Sequence, residues 1–249
     1  MSEKTDLVWN YSPSAFFEDR TVITFPEGEL VAHSGSATYT TALAADPVSD
    51  AARALIAQQV AAVFAARRLL AGTPFTLDGP SIIQHQPGGG RSITLSIAGV
   101  VVKSSVGHVD LVVRNSTGSI TRDTKAERMT SEGAFVGELA PKLLRSDVLR
   151  RMVASYGRAI EDSANELVNL YEVRDAVSAH LGGEHAARGI LGIARADWQT
   201  LGRLANDEPL REGRHRGRQA GELRNATSVE LDEARRIARL IIDAFAATV

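Results

Sequence analysis

Two residues in the second half of the sequence, Arg174 and His180, have types suited to phosphodiester chemistry; they bracket five residues in the run RDAVSAH. An imidazole titrates near neutral pH and can take the proton of a ribose 2′-hydroxyl, while a guanidinium steadies the charge that builds on the phosphate. Cleavage by such a pair would need no metal and would leave a cyclic phosphate. The plain alternative is a solvated helix face. With 24 arginines and six histidines in the chain, an arginine followed by a histidine with four to six residues between arises by chance roughly 1.7 times, and one such pair is present.

A second cluster, REGRHRGR at residues 211–218, puts Arg211, Arg214, Arg216 and Arg218 beside His215 and a single acid, Glu212. Guanidinium groups offer planar donor forks matched to phosphate, and the glycines let backbone amides come close to an anion. This loop is the strongest local candidate for binding RNA or another polyanion. The competing reading is a solvated loop whose arginines pair with Asp207, Glu208, Glu212 and Glu222. It is favoured because no aromatic side chain is interleaved for base stacking.

Other chemistries fall away. His180, Glu184 and His185 suggest zinc, but the order H-x-x-x-E-H departs from H-x-x-E-H, and Gly182-Gly183 interrupts any helix that would align the three. No metal and no cofactor is therefore expected. The PGGGR run at residues 87–91 lacks the Gly-Lys-Ser/Thr ending and following helix of a phosphate loop and reads as a hairpin turn. No Gly-x-Ser-x-Gly elbow occurs, and the absence of cysteine removes thiolate nucleophiles, disulfides and Cys-ligated zinc together. Tyr171 and Trp198 fall at helical core spacing and read as packing residues.

The elements that must position these residues follow from charge density and periodicity. Residues 1–122 hold 9 Lys/Arg and 10 Asp/Glu, whereas residues 123–249 hold 19 and 20. Strands with tight turns need few charges, and amphipathic helices carry a wide solvated face. A boundary near Arg122 follows, with a sheet-plus-helix domain over 1–122 and a helical bundle domain over 123–249. The expected fold class is α+β: a small antiparallel sheet with a packed helix, followed by an all-α helical bundle.

Residues 20–25 and 29–41 read as two strands around a turn at 26–28, and residues 81–86, 92–103 and 108–114 as three more, with a last short strand ending at Ile120. Between the groups, Asp46 caps a helix with Pro47 at its first position, and Gly72 closes it. Val48, Ala52, Leu55, Ile56, Val60, Val63 and Phe64 mark its apolar face. In the second half Thr124 and Glu127 are spaced as a capping box, and helical patterns cover 135–144, 147–181, 184–193 and 196–205. An irregular stretch, 206–225, precedes a C-terminal helix with a capping box at Thr227 and Glu230.

The helical half resembles the C-terminal module of a group of uncharacterised bacterial proteins. The likeness rests on Leu170-Tyr171-Glu172, Gly182-Gly183, Trp198, Leu204-Ala205-Asn206 and Gly213-Arg214-His215, and covers roughly a third of the chain. More broadly it is similar to HEPN-like helical modules of bacterial defence and toxin systems, through the arrangement of helices and the Arg174/His180 spacing. That resemblance implies that Arg174 and His180 are a ribonuclease pair.

The near-neutral charge of -2 excludes a global field for nucleic acid or anionic membranes, and no apolar run reaches the roughly 20 residues that cross a bilayer. The first ten residues lack the apolar stretch of a secretory signal. The expectation is a cytoplasmic, non-catalytic binding or assembly module acting as a homo-oligomer, with a metal-independent ribonuclease or RNA-binding protein as the alternative.

Overall fold

Alternation at the N-terminus builds the central strand of the sheet. In β1 (Lys4–Ser12) the odd positions Thr5, Leu7, Trp9 and Tyr11 are buried while the even ones face outward. This strand falls outside the strand set expected from the sequence, although its period of two is plain. The computed structural model describes residues 4–41, 49–85, 91–94, 110–114, 117, 119–214 and 221–249. The chain divides into two compact units, Met1–Glu138 and Leu139–Val249.

In the first unit, β1 pairs with β4 (Ser36–Thr41) on one side and β5 (Thr76–His85) on the other. Strands β2 (Thr21–Phe25), β3 (Gly28–His33) and β6 (Arg91–Thr94) complete an antiparallel six-stranded sheet in the order β2-β3-β4-β1-β5-β6. The run 29–41, expected as one strand, is two. Ser34 (φ 51°) and Gly35 (φ 85°) both adopt left-handed backbone, and such a pair reverses the chain in a two-residue hairpin. A separate hairpin, β7 (Val112–Arg114) with β8 (Ile120–Asp123), follows.

Helix α1 (Asp50–Ala71) covers one face of the sheet. Ser49 caps it, accepting from the Ala52 amide, and Gly72 ends it in left-handed conformation at φ 59°. The cap is thus Ser49 rather than Asp46; Asp46, Pro47 and Val48 lie outside the described residues. Ile56, Val60, Val63 and Phe64 are fully buried as expected, but Leu55 is 39% exposed. Phe64 meets Tyr11, Phe16, Phe17 and Phe75 at ring-centroid distances of 5.0 to 5.7 Å, an aromatic cluster that fastens helix to sheet.

Gln59 and Arg67 on α1 find polar partners within this unit. The Tyr39 hydroxyl donates to Gln59 (2.7 Å), and Gln59 donates to Glu27 (2.7 Å). The buried Arg67 donates to the Phe16 carbonyl (2.9 Å) and pairs with Glu132. By length and composition α1 is apolar enough to cross a bilayer, yet half of that stretch is buried inside its own unit, as befits a core helix.

Helix α2 (Thr124–Arg145) begins directly after β8, and the two units divide inside it. Its first turn is capped by Asp123, whose carboxylate accepts from the Ala126 amide at 3.0 Å. The expected Thr124/Glu127 box does not form. Thr124 bonds to Leu111 instead, and Glu127 pairs with Arg122.

The second unit packs α3 (Asp147–Glu161), α4 (Glu166–His180), α6 (Arg195–Asn206) and α7 (Ser228–Ala246) around Leu149, Met152, Leu170, Val173, Trp198, Leu201, Ile237 and Ile241. The run 147–181, expected as one helix, is broken by a 3-10 turn at Ser163–Asn165. Neither glycine nor proline marks that break. Asp162 ends α3, and its carboxylate accepts from the Asn165 side chain at 2.7 Å. Gly182 (φ 83°) and Gly183 (φ 110°) then separate α4 from the short α5 (Glu184–Leu191). On α7 the capping box of Thr227 and Glu230 is fully formed.

Candidate functional site

Within the helical unit an open groove of about 670 Å³ lies along α6, walled by α4 and the first residue of α5. Helix α6 contributes Ala196, Gln199, Thr200, Gly202, Arg203 and Asn206 to its lining, a spacing that places polar groups on the face opposite the buried Leu201, Leu204 and Ala205. Helix α4 supplies Tyr171 and Arg174, one turn apart. Glu184 and Asp207 complete the ring of charge.

Arg174 is the most constrained member. Its Nη1 donates to the Trp198 carbonyl at 3.0 Å and its Nη2 to Glu184 at 2.9 Å. The guanidinium lies over the rings of Tyr171 (4.9 Å) and Trp198 (5.0 Å), and only 14% of the side chain is exposed. Room for it exists because residue 202 is glycine; a Cβ there would collide with the Arg174 guanidinium.

Arg214 reaches the same tyrosine from the loop that follows α6. It lies over the Tyr171 ring at 4.7 Å and pairs with Asp175 at 2.9 Å. Its backbone amide donates to the Ala205 carbonyl at 2.7 Å, so the chain after α6 is held against the end of that helix. The structure thus brings together Arg174 and Arg214, which sequence reasoning assigned to separate sites. Tyr171 is their common platform as well as a packing residue.

His180 lies elsewhere. Six residues along a helix place it about 120° around and about 9 Å along the axis from Arg174. It is exposed at the end of α4, with its ring edge-on to Phe245 at 5.6 Å. His185 stands on α5 beyond the glycine pair, and Glu184 is engaged by Arg174. Among the described residues no group of three His, Asp or Glu side chains converges as a metal site would require.

The remaining loop residues divide. Arg211 donates to the Leu223 carbonyl at 3.2 Å, and its amide bonds to the Arg224 carbonyl at 3.0 Å, so it helps to close the base of the loop. Arg224 pairs with Glu230 at 2.6 Å and Glu208 at 3.5 Å. The Arg224 guanidinium, with the Thr227 hydrogen bonds, lowers the Glu230 carboxyl to about 2. Glu212 caps the Ala226 amide at 3.0 Å. His215, Arg216 and Arg218 lie outside the described residues.

Sequence reasoning missed Gln199, Thr200 and Asn206. Their side chains make no hydrogen bond among the described residues, and the Asn206 Oδ1 is shut away from solvent without a donor. A buried acceptor left alone costs roughly 1 to 3 kcal/mol. The signal in the sequence was the recurrence of polar residues at 199, 203 and 206. Comparison with protein-family models, with curated proteins and with solved structures finds no match for the chain.

Proposed function

We propose that this chain is a non-catalytic binding protein of the bacterial cytoplasm, acting as a homo-oligomer, and that its helical unit holds the ligand in the α4-α5-α6 groove. The observation that carries this reading is the state of Arg174. Its guanidinium is committed to a backbone carbonyl, a carboxylate and two aromatic rings, and His180 lies on another face of α4. A ribonuclease pair must converge on one phosphate. The groove, in contrast, is lined by Gln199 and Thr200, whose side chains make no hydrogen bond among the described residues. Assembly is supported by the hairpin β7-β8, which exposes Val112, Val113 and Ile120, with Leu111 exposed just before it.

The competing ribonuclease reading keeps the helical context and the arginine-histidine spacing in its favour. Incubation of the wild-type chain with single-stranded RNA in EDTA separates the two. Intact RNA after prolonged incubation is expected. Cleavage to cyclic-phosphate ends that is lost in both Arg174→Ala and His180→Ala would overturn the non-catalytic reading. Light scattering should give a mass of at least two chains; a strict monomer at high micromolar concentration would remove the assembly part.

A further inference from the structure

Helices α5, of 8 residues, and α6, of 12, are joined by Gly192, Ile193 and Ala194 alone. Gly192 takes left-handed backbone (φ 65°) and Ala194 is extended (φ -59°, ψ 141°), so the chain leaves one helix and enters the next around a tight corner. A Cβ on residue 192 would meet nothing within 4 Å, so glycine serves that backbone angle and not packing. Ala187 of α5, Ile193 of the turn, and Trp198 and Leu201 of α6 are all buried, which fixes the corner from within.

With those side chains turned inward, α6 presents its opposite face. Arg195, Ala196, Gln199 and Arg203 are exposed and Thr200 is half-buried, at the spacing of a single helical stripe. The stripe carries two arginines and no carboxylate. Of the acids nearby, Glu184 is engaged by Arg174, Asp197 by Arg236, and Asp207 lies past the last residue of the helix. Arg195 has no ion-pair partner among the described residues. Arg203 is 52% exposed and holds Glu208, a solvated pair that exchanges at little cost. No side chain caps α6 at Ala194, so its first amides can donate to a phosphate oxygen.

An α-helix fits the major groove of duplex DNA, where an arginine fork matches the two acceptors of guanine and a glutamine amide matches the acceptor and donor of adenine. Where two helices meet at such a corner, the second is the one that enters the groove, leading with its N-terminal residues. The stripe has no aromatic ring on which unpaired bases could stack, and Tyr171 beside it is already covered by two guanidinium groups, which favours a duplex over a single strand. We infer that α5 and α6 form a helix-turn-helix that reads duplex DNA, with Arg195 and Gln199 toward base edges and Arg203 toward the phosphate backbone. The inference rests on the binding-protein reading above and gives the α6 wall of the groove its ligand class.

The test is selection from a library of random-sequence DNA duplexes on the wild-type chain. Fluorescence anisotropy then compares the enriched duplex, an unselected duplex and a single-stranded RNA of equal length. The enriched duplex is expected to bind roughly a thousandfold tighter than the unselected one. Arg195→Ala and Gln199→Ala change exposed side chains, so each should keep the melting temperature and reduce that preference roughly tenfold. Arg203→Ala should weaken both duplexes alike and lower the salt slope by about one. No enriched sequence, a preference that survives both Arg195→Ala and Gln199→Ala, or tighter binding of the single-stranded RNA would each overturn the inference. The RNA-cleavage assay reads out separately. Intact RNA with no duplex preference rejects the DNA site alone, whereas cleavage dependent on Arg174 and His180 rejects the non-catalytic reading beneath it.

Discussion

Gly202 and Arg174 form a pair whose energetics can be read in the sign of a single substitution. Replacing a helical glycine by alanine ordinarily stabilises by about 0.5 to 1 kcal/mol, because glycine costs more backbone entropy. Here the new Cβ would displace the Arg174 guanidinium from the Trp198 carbonyl and from its two rings. Gly202→Ala is therefore expected to destabilise the chain by roughly 1 to 2 kcal/mol. In an Arg174→Ala background the obstacle is gone, and the same change should stabilise by up to about 1 kcal/mol. Urea denaturation of the four members of this cycle measures both. A stabilising Gly202→Ala in the wild-type background would show that Arg174 leaves its seat at no cost. Residue chemistry of this kind is poorly legible in a sequence. The run RDAVSAH advertised Arg174, but its partners Trp198 and Glu184 come from α6 and α5, and nothing local encodes their approach.

At the scale of elements, legibility followed the locality of the signal. The capping box of α7 uses residues three apart, and both halves formed as read from Thr227 and Glu230. The α3-α4 break was invisible because no glycine or proline marks it and no side chain caps α4; the bond from the Asn165 side chain to Asp162 is one that any polar run could offer. Strand β1 was missed although its alternation was clean, and the 29–41 run was read whole because Ser34 is an uncommon residue for left-handed backbone. The α7 cap also carries a pH dependence. Glu230 titrates at about 2 in the fold, below the ordinary 4.5, chiefly through its hydrogen bond with Arg224. A depressed carboxyl stabilises the fold above its unfolded value, and that contribution fades as pH falls from about 4.5 towards 2. Arg224 is 44% exposed, so screening limits the effect to about 1 kcal/mol. Glu230→Gln keeps the geometry of the box and removes the charge. It should cost about that much at pH 7 and lose the difference by pH 2, as followed by urea midpoints. A cost that persists unchanged at pH 2 would place it in the hydrogen bonds of the cap instead of in the charge.

For the whole molecule, the α+β class was legible because charge density and periodicity both change near residue 122, where strands give way to helices. The two compact units offer a direct measure of how far that division extends to stability, since each holds one of the two tryptophans of the chain. Trp9 is 4% exposed in the sheet of the first unit, and Trp198 is fully buried in the helical unit. Trp198→Phe leaves fluorescence from the first unit alone, and Trp9→Phe from the second alone. Each unit has its own core, so a cavity should act where it is made. Phe64→Ala removes the ring at the centre of the aromatic cluster and should cost the first unit about 3 to 5 kcal/mol; Leu170→Ala should cost the second about 2 to 5 kcal/mol. Units that unfold independently show the Phe64 change only in the Trp9 signal and the Leu170 change only in the Trp198 signal. Equal shifts of both signals by either substitution would mean that the chain unfolds as one cooperative block, and the two units would then have no separate stability.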